Sequence, residues 1–130
     1  MKTLKLVIFT LCTTLILAAC GNGSSSESPE LVVENMYKAY LTGNFKKAAT
    51  YATKEAAIMF RKRASIADDE LKEHKKIYEK ARVVVLSSDI NEKTGTGIVT
   101  VRLTNADGKT NTIKCNVIKE DGCWKADFSK

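Results

Sequence analysis

The sequence predicts an α+β domain in which helices from the first half of the chain pack on a four-stranded antiparallel sheet formed by the second half. Between residues 29 and 81, apolar residues recur every three or four positions, which is the spacing of amphipathic helices. From Arg82 onward the period changes to two and β-branched residues become frequent. Turn sequences containing Asp and Gly divide this second half into strands. Helices first and antiparallel strands second define the α+β class.

The first predicted helix begins at Ser28-Pro29-Glu30 and ends before Gly43-Asn44. Serine is a favoured N-cap, proline fits the first helical position, and an acidic residue in the first turn interacts favourably with the helix dipole. Asn44 is also expected to cap the next helix. The apolar face of the first helix consists of Leu31, Val33, Met36, Tyr37, Tyr40 and Leu41.

Three further helices are predicted before residue 82. The second, short helix contains Phe45, Ala48, Ala49, Tyr51 and Ala52. Thr53 is expected to cap the third, whose shared face consists of Ala56, Met59, Phe60 and Arg63. The fourth covers residues 68–81, and its apolar side consists of Leu71, His74, Ile77, Tyr78 and Ala81. Residues 64–67 fit either a loop or a continuous helix.

Four strands are predicted at residues 82–90, 97–104, 110–119 and 123–128. The turns between them are residues 91–95, Asn105-Ala106-Asp107-Gly108 and Asp121-Gly122. Because successive strand residues point to opposite faces, Trp124 in the last strand should face the helices. The same alternation predicts that Cys123 and Asp127 face outward, away from any pocket between helices and sheet.

Residues 1–19 have the layout of an export signal, with Lys2 and Lys5 before an apolar run and small residues before Cys20. The ending Leu17-Ala18-Ala19-Cys20, followed by Gly21, resembles the lipobox of bacterial lipoproteins. The resemblance implies that residues 1–19 are a lipoprotein signal peptide and that Cys20 is acylated and becomes the first mature residue. The apolar run 6–19 has 14 residues, fewer than the roughly 20 of a membrane-spanning helix, which favours the signal over a transmembrane anchor.

The rest of the chain divides into residues 20–28, the lipidated Cys20 with a Gly/Ser-rich tether, and residues 29–130, a single domain. Loss of residues 1–19 lowers the formal charge from +6 to +4, with both signs mixed along the chain. Arg61-Lys62-Arg63 is the tightest basic run, and it has no interleaved aromatics, so we expect a solvated helix face and no nucleic-acid partner. We expect a lipid anchor in the cell membrane or outer membrane, with the domain facing outside the cytoplasm.

Two stretches resemble a known domain family. Residues 29–33 (Pro-Glu-Leu-Val-Val), followed by residues 40–48 (Tyr-Leu-Thr-Gly-Asn-Phe-Lys-Lys-Ala), are similar to the opening of nuclear transport factor 2-like domains. Residues 119–125 (Lys-Glu-Asp-Gly-Cys-Trp-Lys) resemble their last hairpin. The resemblance covers residues 29–128 and implies a curved sheet wrapped against the helices as a cone. Small bacterial lipoproteins that carry this domain form a family of unknown function, and this chain resembles them.

In some domains of this kind the open end of the cone holds a pocket. This chain departs from the pattern at Cys123, where a charged or polar residue is usual, and by ending two residues after Phe128. We therefore expect no sizeable pocket. The aromatic residues that are candidates to line a small pocket are Tyr37, Tyr40, Tyr51, Tyr78 and Trp124. The alternative is that they fill the core of the domain.

The sequence shows no coherent catalytic residues and no cofactor motif. His74 is the single histidine, and no spacing places an orienting carboxylate beside it. One histidine and two cysteines without paired spacing make a weak metal-ligand set, so we expect no metal. We therefore expect a non-catalytic module that binds an envelope protein or a small ligand. The alternative, implied by enzymes of this fold class, is a small isomerase or dehydratase that uses the cone pocket and His74.

Cys115 and Cys123 are candidates for a disulfide, because cysteines in an exported domain are often paired. Strand alternation nevertheless places the two thiols on opposite faces of the sheet in a regular hairpin register. A disulfide and two unpaired thiols therefore stay as alternatives. A purely structural role, as an accessory subunit, would instead predict an apolar patch on the outer face of the sheet, with Val84, Leu86 and Ile118 as contributors.

Overall fold

The computed structural model describes residues 27–128, in which helices precede a four-stranded sheet. The helices are α1 (Pro29–Leu41), α2 (Phe45–Thr50), α3 (Lys54–Arg63) and α4 (Asp68–Tyr78). The strands are β1 (Arg82–Asn91), β2 (Thr96–Thr104), β3 (Thr110–Glu120) and β4 (Cys123–Asp127). The predicted α+β class and order of elements are confirmed. The predicted signal peptide and the predicted lipidation site Cys20 lie outside the described residues. Within residues 27–128, no helix is both long enough and apolar enough to cross a membrane.

Three predicted N-caps, Ser28, Asn44 and Thr53, define the starts of α1, α2 and α3. Each side chain accepts a hydrogen bond from the backbone N–H three residues later, at 3.3, 3.2 and 3.2 Å respectively. Between α1 and α2, Gly43 has a φ of 79°, a left-handed conformation that glycine adopts readily. Residues 64–67 form a turn and a short connection, so α3 and α4 are separate helices. These caps and turns fold the four helices over one face of the sheet.

The sheet is an antiparallel meander in the order β1-β2-β3-β4. Its register shifts between Val85 and Ser87 on β1. A bulge of this kind bends the strand and increases its twist, which helps the sheet to curve around the helices.

The connection between α2 and α3 closes the outer edge of β4. Ala52 forms an isolated parallel bridge with Ala126. The backbone N–H of Thr53 donates to the carbonyl of Ala126 at 2.9 Å, and the N–H of Ala126 donates to the carbonyl of Tyr51 at 2.8 Å. The last strand is therefore hydrogen-bonded on both sides over this stretch.

The core lies between α1–α3 and the helix-facing side of the sheet. Its largest fully buried side chains are Val32, Val33, Met36, Val99, Val101 and Val117. Three residues that helical periodicity placed on buried faces, Leu31, Met59 and Ile77, are instead 46%, 57% and 55% exposed. The reason is packing at the margin of the core: α1 turns Val32 and Val33 inward, and α4 lies so peripherally that only His74 is buried on it.

The three residues named as contributors to an apolar patch differ in exposure. Val84 and Leu86 are 53% and 41% exposed on β1, whereas Ile118 on β3 is partly buried. Val84 pairs directly with Arg102. Ile98 is exposed as well, between the polar residues Asp89 and Asn116.

Candidate functional site

His74 lies in an aromatic cluster beneath α4, and this cluster explains its burial. Its ring centroid is 4.9 Å from that of Tyr40, 5.0 Å from that of Phe45 and 4.8 Å from that of Tyr78. Its Nε2 lies 2.6 Å from the carbonyl oxygen of Tyr40. A carbonyl only accepts, so Nε2 carries the proton and donates it.

The surroundings of His74 do not match those of a catalytic base. Only 5% of the residue is exposed, and its polar contact in the described domain is a backbone carbonyl, with no carboxylate partner. A general base needs access to a substrate proton and benefits from an orienting acid. The geometry of His74 instead ties α4 to the end of α1.

A small pocket opens beside this cluster, between α1, α3 and the end of the sheet. Its volume is about 230 Å³, and we call it the Tyr40 pocket. Its lining residues are Met36, Tyr37, Tyr40, Met59, Phe60, Arg63 and Phe128. Met36 and Phe60 are buried, whereas Met59 and Arg63 are exposed at the mouth. The pocket is therefore apolar inside and carries a positive charge at its opening.

The two tyrosines of this pocket remain protonated at neutral pH. Burial, with a smaller contribution from the nearby Cys115 thiol, raises the pKa of Tyr37 to about 12. Burial also raises the pKa of Tyr40; Tyr78 acts in the same direction and the Arg63 guanidinium opposes it. Both phenols are therefore neutral, that of Tyr40 is hydrogen-bonded to Tyr78, and neither is ready to act as a general base near neutral pH.

The aromatic residues that the sequence singled out do not converge on one site. Tyr37 and Tyr40 line the Tyr40 pocket, whereas Tyr78 lines a groove of about 630 Å³ between α1, α4 and β1. Trp124 is 8% exposed and borders a separate surface depression near the start of α1. Tyr51 packs half-buried against the core, and its backbone carbonyl holds β4. Two of the five candidates thus line the Tyr40 pocket, and Tyr78 contacts it from the aromatic cluster, with its ring 5.9 Å from that of Tyr40.

The candidate disulfide between Cys115 and Cys123 does not form, because Cys115 is a free, buried thiol. In the register of the sheet, Cys123 pairs with Glu120, five residues along β3 from Cys115. At about 3.3 Å per strand residue, these positions lie roughly 16 Å apart, whereas a disulfide requires Cα atoms within about 7 Å. Cys123, which was expected to face outward, is buried, with 7% of the residue exposed.

Arg63, Met59 and Phe128 line the pocket although the sequence did not assign them to it. Sequence spacing did place Arg63 and Met59 on one face of α3, together with Phe60. That shared face could have indicated the pocket. Arginine is seldom buried, so an arginine on the same face as a phenylalanine and a methionine suggests a face that is partly open to solvent. Strand alternation from Trp124 places Phe128 on the helix-facing side, but it does not show which helix the ring contacts; the ring lies 5.2 Å from that of Phe60 on α3.

Residues suited to holding a metal are scattered in the described part of the chain. No group of three or more histidine, cysteine, aspartate or glutamate side chains comes together between residues 27 and 128. Cys115 is poorly suited to act as a thiolate, because burial raises its pKa to about 11, with a smaller contribution from Asp127.

Two solved structures resemble this chain. A Campylobacter jejuni protein named as an NTF2-like transpeptidase superposes with a TM-score of 0.58 and 15% identity, covering 78% of this chain and 99% of that one. A SEC-C motif-containing protein from Rhodopseudomonas palustris superposes with a TM-score of 0.50 and 18% identity, covering 77% of this chain and 75% of that one. At these identities the likeness concerns the fold alone. The described domain therefore has the nuclear transport factor 2-like fold, as the resemblance in the sequence implied.

Matches in sequence do not accompany this structural likeness. No protein-family model matches the chain. No curated protein matches it either. The site must therefore be interpreted from its own residues.

Proposed function

We propose that this chain is a lipid-anchored protein of the bacterial cell envelope whose nuclear transport factor 2-like domain binds a small ligand in the Tyr40 pocket without catalysing a reaction. The anchor is the acylated Cys20, and residues 21–28 are the tether. The domain faces outside the cytoplasm.

The observation that carries the binding role is the chemistry of the pocket lining. The pocket is concave, mainly apolar and furnished with a few polar tips, which is typical of small-ligand sites. Its titratable phenols are held in the neutral form, with the pKa of Tyr37 raised to about 12. His74, the residue on which an isomerase or dehydratase would depend, donates its Nε2 proton to a backbone carbonyl.

The name of the Campylobacter jejuni neighbour does not extend to this pocket. Acyl transfer by a transpeptidase requires an activated nucleophile beside a base. Within residues 27–128, the lining contains no serine, threonine or cysteine. The thiol of Cys115, which lies near Tyr37, has its pKa raised to about 11 and is therefore a poor nucleophile at neutral pH. These features favour binding over catalysis.

The anchor is tested by replacing Cys20 with serine in a bacterium that expresses the full chain. We expect the unmodified chain in the membrane fraction, with fatty acyl chains on an N-terminal Cys20 in the mass spectrum of the mature protein. The Cys20→Ser chain should lose the acyl mass, because serine offers no thiol for the thioether. Cys12→Ser, a matched change within the predicted signal, should leave the acyl mass in place.

Two results would contradict the anchor. One is an unacylated Cys20 in the mature chain. The other is a disulfide bond at Cys20, because one sulfur atom cannot form a thioether and a disulfide at once.

The binding role is tested with the methyl groups of methionine as NMR probes in the full chain, purified in detergent. Met36 and Met59 both line the pocket, so we expect millimolar phenylacetate, a water-soluble probe of fragment size, to shift both signals. Met59→Trp should fill the mouth and weaken binding about ten-fold or more, whereas Ile58→Trp should not. Ile58 is a suitable control because it is the exposed neighbour of Met59 and does not line the pocket. Unshifted methionine signals would rule out binding in this pocket.

A further inference from the structure

We propose that the ligand of the Tyr40 pocket is a small monoanion, an apolar body of about one ring that carries a carboxylate bound by Arg63 at the mouth. This inference rests on the proposed function, since it specifies the ligand of the same pocket. The size of the pocket, its charged residue and the position of that charge at the mouth support it.

The size of the pocket limits the apolar body. A volume of about 230 Å³ is smaller than the roughly 300–1,000 Å³ of sites for drug-sized ligands. The inner walls are the side chains of Met36, Phe60 and Phe128. Phe60 and Phe128 already meet edge to face at 5.2 Å, so an aromatic ring can extend the same packing. A single ring or a short aliphatic chain therefore fits.

The charge of the pocket selects an anion. Among the described residues that line the pocket, Arg63 is the charged one, and no acidic side chain accompanies it. The ion pairs found in residues 27–128 join other residues and leave Arg63 without an acidic partner in that range. Arg61 and Lys62 occupy the same last turn of α3 and add to the positive potential near the mouth. A carboxylate at this place would complete the charge balance.

The geometry of Arg63 favours a carboxylate over a point-like anion. Its guanidinium carbon lies 5.7 Å from the centroid of the Phe45 ring. A cation–π contact of this kind does not use the guanidinium N–H groups, which stay available for a planar, two-oxygen acceptor. The phenol of Tyr40 lies within electrostatic reach of Arg63 but already hydrogen-bonds Tyr78, so the carboxylate would bind to Arg63 itself. The charged group thus lies at the mouth and the apolar walls lie inside, the arrangement that an amphipathic acid requires.

The experiment compares phenylacetate with phenylacetamide, a neutral molecule of nearly the same shape, on the full chain in detergent. Both are followed by the methyl signals of Met36 and Met59. We expect phenylacetate to bind about ten-fold more tightly, as a charge-assisted hydrogen bond commonly contributes. Arg63→Gln should lower the affinity for phenylacetate to that of phenylacetamide on the unmodified chain. Arg61→Gln, the same change one position outside the lining, should preserve the difference.

The outcomes separate this inference from the proposed function. Equal affinities for the two probes, or an unchanged preference in Arg63→Gln, would overturn the anionic ligand and leave pocket binding intact. Unshifted signals with both probes would remove the proposed function together with the inference. The unliganded methyl spectrum of each variant reports whether the fold is retained. Arg63→Lys is a second variant, which keeps the positive charge. If it too loses the preference for phenylacetate over phenylacetamide, the preference depends on the two-pronged hydrogen bonding of the guanidinium.

Discussion

Replacing His74 with alanine is expected to lower the free energy of unfolding by about 3 kcal/mol. The side chain is 5% exposed and lies within 5.0 Å, centroid to centroid, of three aromatic rings. Alanine would leave a cavity among these rings and remove the donor to the carbonyl of Tyr40. That carbonyl also accepts the N–H of Gly43 at 3.0 Å, so the lost hydrogen bond is the smaller part of the effect.

The measurement is urea unfolding followed by Trp124 fluorescence, since the chain contains a single tryptophan. His74→Phe should lose only about 1 kcal/mol, because phenylalanine refills the aromatic site and lacks only the donor. Lys76→Ala, an exposed change on the same helix, should alter stability by less than about 0.5 kcal/mol. A stable His74→Ala protein that lost a chemical activity of the domain would contradict the structural role and favour a catalytic one.

Replacing Gly97 with valine is expected to destabilise the domain by about 3 kcal/mol or more, although valine is a much better strand residue. A Cβ atom at Gly97 would lie 2.7 Å from the carbonyl oxygen of Asp89 and 2.6 Å from Cδ1 of Ile90. Real Cβ atoms essentially never approach that closely, and the Asp89 oxygen belongs to the backbone of β1, which cannot move aside without breaking its pairing. The clash therefore outweighs the strand propensity.

Thr112→Val is the matched control, because Thr112 lies exposed on the neighbouring strand β3 and receives the same side chain. We expect the free energy of unfolding of this control to lie within about 0.5 kcal/mol of that of the unmodified chain. Both variants are measured by the same urea titration. Equal free energies of unfolding for Gly97→Val and Thr112→Val would contradict the prediction, because they would show that β1 moves to accommodate the valine.

The sequence was most informative where a short-range interaction decides the structure. Ser28, Asn44 and Thr53 were identified as caps because a side-chain oxygen there satisfies a backbone N–H three residues away, and such contacts need no tertiary context. Hairpin turns such as Asp121-Gly122 are local for the same reason: both residues have positive φ, 55° and 81°.

Long-range packing was beyond the reach of the sequence. Periodicity indicates which residues of a helix share a face, but it does not show how far that face extends into the core. Met59 and Ile77 belong to apolar stripes whose margins remain exposed in the structure. The candidate site depends on such margins, since Arg63 meets Phe45 from another helix and Phe128 meets Phe60 from the opposite end of the domain. Of the predicted pocket residues, Tyr37 and Tyr40 were correctly identified, because both lie on the same face of α1 and helical periodicity alone relates them.

The hydrogen bonds that tie β4 to the α2–α3 connection have a consequence for the time at which the domain can fold. The N–H of Thr53 and the carbonyl of Ala126 are joined across most of the chain, and Lys125 Nζ donates to the carbonyl of Thr50 over 75 residues. A nascent chain lacks Trp124 and Ala126, and with them the final wall of the core, until β4 has been synthesised. The core of this domain therefore cannot be completed before the last of its described strands has left the ribosome.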